Sequence, residues 1–171
     1  VVFSRRKSEL HEAQLNMKLL APFGITEVPD LARCASLSGF HAPAADAAVQ
    51  QFLRPGRRQV ILHPLSKGSA VEWGLEHFSE LIALLHPERY HVIVTGTAAE
   101  AERYRAGLPL HLPHVSDAGG RLSLDQLIAL IARSEALVAA STGPLHIAAA
   151  CGIRAIGLYA QKRPIHPGRW A

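Results

Sequence analysis

Apolar residues in the second half of this chain come in short unbroken runs, separated by stretches of helical period. Val60-Ile61-Leu62, His91-Val92-Ile93-Val94, Ala136 to Ala140 and Arg154 to Tyr159 are runs of strand length without polar alternation, and His114-Val115-Ser116 is a shorter one. Between them, Leu75 to Leu85 sets Phe78, Leu81, Ile82 and Leu85 on one helical face. Ala98 to Arg105 is a helix of small and charged residues. Ser123 caps a helix from Leu124 to Arg133, and Pro144 to Cys151 forms another that Gly152 stops. Strands that alternate with helices, and that lack a polar face of their own, predict an α/β fold: a parallel sheet with helices on both faces.

The first third is less regular. Ser8 can cap a helix from about Glu9 to Leu20, with Leu10, Ala13, Met17 and Leu20 on one face, and Pro22 and Gly24 end it. Residues 25 to 58 carry Pro29, Gly39, Pro43, Pro55 and Gly56 and read as a linker with one short helix near Ala44 to Phe52. The organisation expected is an arm, helix and linker over residues 1–58 and a sheet domain over 59–171.

Composition narrows this picture only a little. Of 171 residues, 49% are hydrophobic, enough for one core without staples. Cys34 and Cys151 are the two cysteines, which suits a reducing cytoplasm. A net charge of +4 suits an anionic ligand or membrane surface, and equally a plain soluble basic domain. Arg5-Arg6-Lys7 and Arg57-Arg58 are too short and isolated for a nucleic-acid surface, so no nucleic-acid partner is expected. No apolar run approaches the ~20 residues of a membrane span. Ten histidines raise a metal reading, but no helical His pair or Cys/His cluster supports it, and no metal is expected. Val1 is not a native start, so the chain reads as a fragment.

In open parallel sheets, ligands bind beyond the carboxyl ends of the strands. Three such ends carry chemistry. At Ser141-Thr142-Gly143-Pro144, Pro144 opens a helix, leaving the amides of Leu145 and His146 to face an anion. Gly143 allows close approach, Thr142 adds a hydroxyl donor, and His146 lies in the first turn. A well-capped helix with a satisfied histidine accounts for the same residues. At Ser66-Lys67-Gly68, Lys67 can place a positive charge on a diphosphate, or can be a solvated loop lysine. At Thr95-Gly96-Thr97, the turn can admit a nucleotide and Glu100 can bind a ribose hydroxyl. Alternatively, Thr97 simply caps the next helix and Glu100 is a surface side chain.

Taken in order, these stretches resemble glycosyltransferase family 9, the lipopolysaccharide heptosyltransferase family. The resemblance rests on Leu62-His63-Pro64-Leu65-Ser66-Lys67-Gly68-Ser69-Ala70-Val71-Glu72-Trp73, on Val92 to Thr97 with Glu100, and above all on Leu137 to Ala150 with its Thr142-Gly143-Pro144-Leu145-His146 turn. Leu122-Ser123-Leu124, His11-Glu12 and His166-Pro167-Gly168-Arg169-Trp170 are similar to family features too.

The resemblance implies a Rossmann-like sheet forming the carboxy-terminal, donor-binding half of a GT-B enzyme, with the acceptor domain and its catalytic base outside this chain. It implies a nucleoside-diphosphate sugar donor, typically ADP-heptose, and a lipid-linked oligosaccharide acceptor. It also implies inverting transfer without metal or other cofactor, in the cytoplasm at the inner membrane of a Gram-negative bacterium. The fragment alone is expected to bind nucleotide and turn over slowly or not at all. Two positions depart from the family pattern: Ser141 stands where an aspartate is common, and Val71 where a basic residue is common. The alternatives are another GT-B enzyme, such as a sugar-nucleotide epimerase, and a non-catalytic nucleotide-binding domain.

Overall fold

The computed structural model describes residues 8–160 and Pro167. The chain divides into two compact units, residues 41–158 and residues 1–40 with 159–171.

In the smaller unit, helix α1 spans Glu12–Met17, a 3-10 helix spans Lys18–Phe23, and helix α2 spans Leu31–Leu37. Helix α1 starts later than its apolar spacing predicts. The Ser8 hydroxyl accepts from the Leu10 amide instead of capping. The cap is His11: its Nδ1 accepts from the Ala13 amide, and Gln14 Oε1 accepts from the His11 amide, both at 3.2 Å. This reciprocal pair satisfies two amide donors that a helix start would otherwise leave orphaned. The rotation puts Leu15 in the interior, not the face of Leu10, Ala13, Met17 and Leu20. Gly24, at φ +81°, closes the segment. Helix α2 was not expected in a Pro-rich linker. Asp30 nucleates it by accepting from the Arg33 amide at 2.7 Å, and its seven residues are too few to show a period.

The larger unit opens with a short helix α3, Ala47–Gln50, capped by Asp46 and shorter than the expected Ala44 to Phe52. The sheet then follows, with strand β1 at Arg58–His63, helix α4 at Leu75–Leu84, strand β2 at Tyr90–Val94 and helix α5 at Ala98–Tyr104. Strand β3 is Val115–Asp117, helix α6 Leu124–Ile131, strand β4 Ala136–Ala140, helix α7 Gly143–Ala150 and strand β5 Arg154–Leu158. The strands lie in the order β3-β2-β1-β4-β5, and every pair is parallel. Val60 pairs with Val92 on one side and Ala136 on the other, so the chain reverses its direction of travel across the sheet between β1 and β4.

Side chains alternate across each strand. Val60, Leu62, Val92 and Val94 share one face with Phe78 and Ile82 of α4 and Ala101 and Tyr104 of α5. Ile61, Ile93 and Leu137 point to the opposite face and are equally buried. Each such side chain contributes roughly 1.5–3 kcal/mol by leaving water. The sheet is parallel with helices packed on it, as expected, and its edge strand β5 leaves Arg154, Ala155 and Ile156 exposed. That strand has β4 as its only described neighbour and α7 packed against it. Among the described residues no helix is long and apolar enough to cross a membrane.

Candidate functional site

The reversal between β1 and β4 leaves the loops after both strands side by side, and that crevice is where open α/β sheets bind ligands. A cavity of about 500 Å³ lies here, in the larger unit. Of the residues singled out in the sequence, it brings together Ser66, Lys67, Gly96, Glu100, Thr142, Gly143 and Pro144. Gly68, Thr95, Ser141, Leu145 and His146 do not line it. The cavity adds His63 at the end of β1, Thr97 and Ala98 at the start of α5, and a wall from Gly120, Leu122, Leu124 and Leu127. That wall was missed because it joins the coil after β3, at Gly120 and Leu122, to the first turn of α6, at Leu124 and Leu127, which only the sheet order brings to the same cavity as Gly143. The one signal available for it was the Leu122-Ser123-Leu124 stretch.

The turn that opens α7 works differently from its sequence reading. The amides of Leu145 and His146 are not free for an anion, since both donate to the carbonyl of Thr142, at 3.1 and 3.4 Å. Leu145 is a core side chain. The Thr142 hydroxyl donates to the Ala140 carbonyl at 3.2 Å, so its proton is already committed. The donors left are the backbone amides of Thr142 and Gly143, neither of which has a partner among the described residues and both of which belong to residues lining the cavity. An added Cβ at Gly143 would meet nothing within 4 Å, so the backbone there is open to the cavity. Pro144 in the first turn contributes no donor, and the partial positive charge of the α7 amino end adds to that of these amides.

The loop after β1 is a tight turn. Ser69 N donates to Ser66 O at 3.0 Å, and the two central residues both have positive φ, +50° at Lys67 and +79° at Gly68. Two left-handed residues in succession mark a type I′ turn, which suits glycine at Gly68 and costs a lysine about 1–2 kcal/mol. Lys67 is exposed at the turn's tip, where it lines the cavity. Val71, the family's usual basic position, is also exposed. Ser66 is buried and spends its hydroxyl inside the loop.

Beneath the cavity, His63 Nδ1 lies 3.0 Å from the Thr95 hydroxyl, while the alternative acceptor for that hydroxyl, Leu62 O, is at 3.5 Å. The contact closes with either tautomer of His63, and in both it ties the two side chains together. Thr95 is thus a buried brace between β1 and β2, not a ligand contact. Burial lowers the His63 pKa against the pull of Glu100, so its imidazole is neutral at pH 7. Glu100 is buried as well. Burial alone would raise its pKa, but hydrogen bonds from Thr97 and the nearby charge of Lys67 hold it below the ordinary value. Thr97 does cap α5, but Glu100 is not the surface side chain of that reading: it is buried, closes the cap and lines the cavity.

The chemistry assembled is therefore a cation, an ionised carboxylate, open backbone amides at a helix start and an apolar wall. Such a set can grip a phosphate group at one end and a flat or sugar moiety at the other.

Comparison with known proteins places the fold. The chain is 29% identical over 117 residues to a lipopolysaccharide core heptosyltransferase, OpsX, of Haemophilus influenzae, covering 67% of this chain and 34% of that protein. It is 31% identical over 101 residues to lipopolysaccharide heptosyltransferase 2 of Escherichia coli, covering 57% of this chain and 29% of the relative. Among solved structures, the family 9 glycosyl transferase of Veillonella parvula superposes with a TM-score of 0.71 at 18% identity, covering 92% of this chain and 46% of that one. The E. coli heptosyltransferase WaaC with ADP superposes with a TM-score of 0.55 at 25% identity, covering 77% and 44%. The chain thus spans about a third of the curated relatives and under half of these structures. The model of glycosyltransferase family 9 (heptosyltransferase) matches residues 4–171, and the chain belongs to that family.

Proposed function

We propose that this chain is the donor-binding part of a heptosyltransferase, holding a nucleoside-diphosphate sugar, ADP-heptose by analogy with its relatives, for inverting transfer to a lipopolysaccharide-core acceptor. The observation that carries the reading is the convergence of Lys67, Glu100 and Gly143 from three separate strand ends on one cavity at the sheet's reversal point. In this reading the diphosphate lies between the Lys67 ammonium and the Gly143 amide at the start of α7. Glu100 faces a sugar hydroxyl, and the base rests against Leu122 and Leu127. An acceptor hydroxyl attacks the anomeric carbon from the side away from the diphosphate, the glycosidic C–O bond to phosphate breaks, and the configuration inverts. Charge builds on the leaving diphosphate as that bond breaks, so Lys67 and the Gly143 amide act most strongly at the transition state. The acceptor's proton passes to a base outside this chain, and no metal enters the scheme. The work takes place at the cytoplasmic side of the inner membrane.

Calorimetric titration with ADP, UDP and GDP tests the reading. ADP is expected to bind tightest, and Gly143→Val is expected to abolish binding by filling the open approach without disturbing the fold. A preference for UDP points instead to an epimerase-like enzyme. Failure of all three to bind leaves a non-catalytic domain and overturns the proposal.

A further inference from the structure

The turn that carries Lys67 is held from behind by a residue that does not line the cavity. Glu72 Oε1 accepts from the Ser66 amide at 2.9 Å and lies 3.1 Å from the Ser66 hydroxyl. Its other oxygen, Oε2, pairs with Arg103 Nη2 of α5 at 3.4 Å. Ser66 in turn braces the loop internally, its hydroxyl lying 3.0 Å from Ala70 O and its carbonyl accepting from the Ser69 amide and hydroxyl. Every described hydrogen bond that shapes the turn thus passes through Ser66, and Glu72 is what ties Ser66 down.

This arrangement opposes a local preference. Lys67 sits at φ +50°, where a lysine on its own does not rest. A backbone held there requires surroundings that over-determine it, and such strain gathers at ligand clamps. The same carboxylate joins the loop to α5, whose amino end supplies Thr97, Ala98 and Glu100 to the cavity. The loop after β1 is therefore tied to the last turn of the helix whose first turn lines the cavity.

We infer that Glu72 is a positioning residue that holds Lys67 in its left-handed conformation, and that it thereby sets affinity for the diphosphate without touching it. The inference rests on the proposed donor site. It differs from a plain stabilising role in predicting an effect confined to the phosphates.

The test compares the wild-type chain with Glu72→Ala, Glu72→Gln and Arg103→Met. Binding of ADP and of adenosine is measured by calorimetry, and amide hydrogen exchange is followed at residues 66–70. Loss of a charge-assisted anchor predicts that Glu72→Ala binds ADP about tenfold more weakly with adenosine unchanged, and that amides 66–70 exchange faster. Glu72→Gln keeps an acceptor for the Ser66 amide and is expected to recover most of the affinity. Arg103→Met, at an exposed side chain that the fold does not need, is expected to lose a smaller part, about two- to threefold. Equal loss of ADP and adenosine, or ADP binding unchanged in both Glu72→Ala and Arg103→Met, overturns the inference. If the wild-type chain binds neither ligand, the donor-site reading itself fails. In that case the exchange rates still show whether Glu72 holds the loop.

Discussion

The carboxylate of Glu100 accepts hydrogen bonds from both the amide and the hydroxyl of Thr97, at 2.7 and 2.8 Å. Thr97 Oγ1 also accepts from the Glu100 amide at 3.3 Å, so the two residues close the amino end of α5 on each other. That closure shapes one rim of the cavity. Because the folded chain holds the Glu100 pKa below 4.5, ionised Glu100 stabilises the fold at neutral pH, and its contribution fades as pH falls through the lowered value. Glu100→Gln is expected to cost about 1 kcal/mol at pH 7 and progressively less in acid. Urea unfolding of both proteins at neutral pH and near pH 4 measures the difference, and a gap that widens in acid contradicts the assignment.

His91 should make the fold acid-sensitive over a different range. It is 1% exposed at the start of β2, with Nε2 3.1 Å from the Ser116 hydroxyl and Nδ1 buried without a partner among the described residues. Burial, then the charges of Arg54, Arg57 and His114, push its pKa down from 6.5 to about 4. Between those values the unfolded chain takes up a proton that the folded chain refuses, so stability falls as pH drops and levels off below 4. The full effect is roughly 3 kcal/mol. His91→Leu is expected to flatten the decline between about pH 6.5 and 4, as read from unfolding midpoints across that range.

Gly120 sets the distance between the β3–α6 loop and α5. It sits at φ +71°, its amide donates to Gly96 O at 2.9 Å, and a Cβ there would lie 2.8 Å from Ala98 Cα. Gly120→Ala adds backbone strain to a clash with main chain that cannot swing away. It is expected to cost about 2–3 kcal/mol and to weaken nucleotide binding by pushing the cavity rims apart. Thermal melting and ADP titration check the two effects. Gly143→Ala, with nothing within 4 Å of its Cβ, is expected to leave melting unchanged.

Lys67 should show opposite effects on stability and binding. Asn-Gly is a favoured central pair of a type I′ turn, so Lys67→Asn is expected to stabilise the chain by about 0.5–1 kcal/mol while weakening ADP. A variant that is both less stable and unchanged in ADP affinity would be the contrary result.

How much of this was legible beforehand follows the range of the interactions. The strands at Val60, Val92 and Ala136 and the helices at Leu75, Leu124 and Pro144 were readable because their signals are local: apolar runs of one length, a Ser123 cap and a Gly152 stop. The turns at Lys67 and Gly143 were readable as candidate anion contacts, and the turn at Gly96 as one that can admit a nucleotide, for the same reason. Helix α1 was misplaced because the rival caps Ser8 and His11 stand three residues apart, and the choice between them was made where Leu15 could be buried.

What the chain alone could not state is which donors are still free once neighbours have taken their share. Thr142 spends its hydroxyl on Ala140, the Thr95 hydroxyl is taken up between His63 and Leu62, and Ser66 is used up inside its loop. Gly143 keeps its amide, and Lys67 its charge. Residue types along the sequence determined the sheet, its helices and the list of turns where an anion could bind. The strand order then decided which turns face one cavity, because contacts between Lys67, Glu100, Leu122 and Gly143 exist only after residues tens of positions apart have packed side by side.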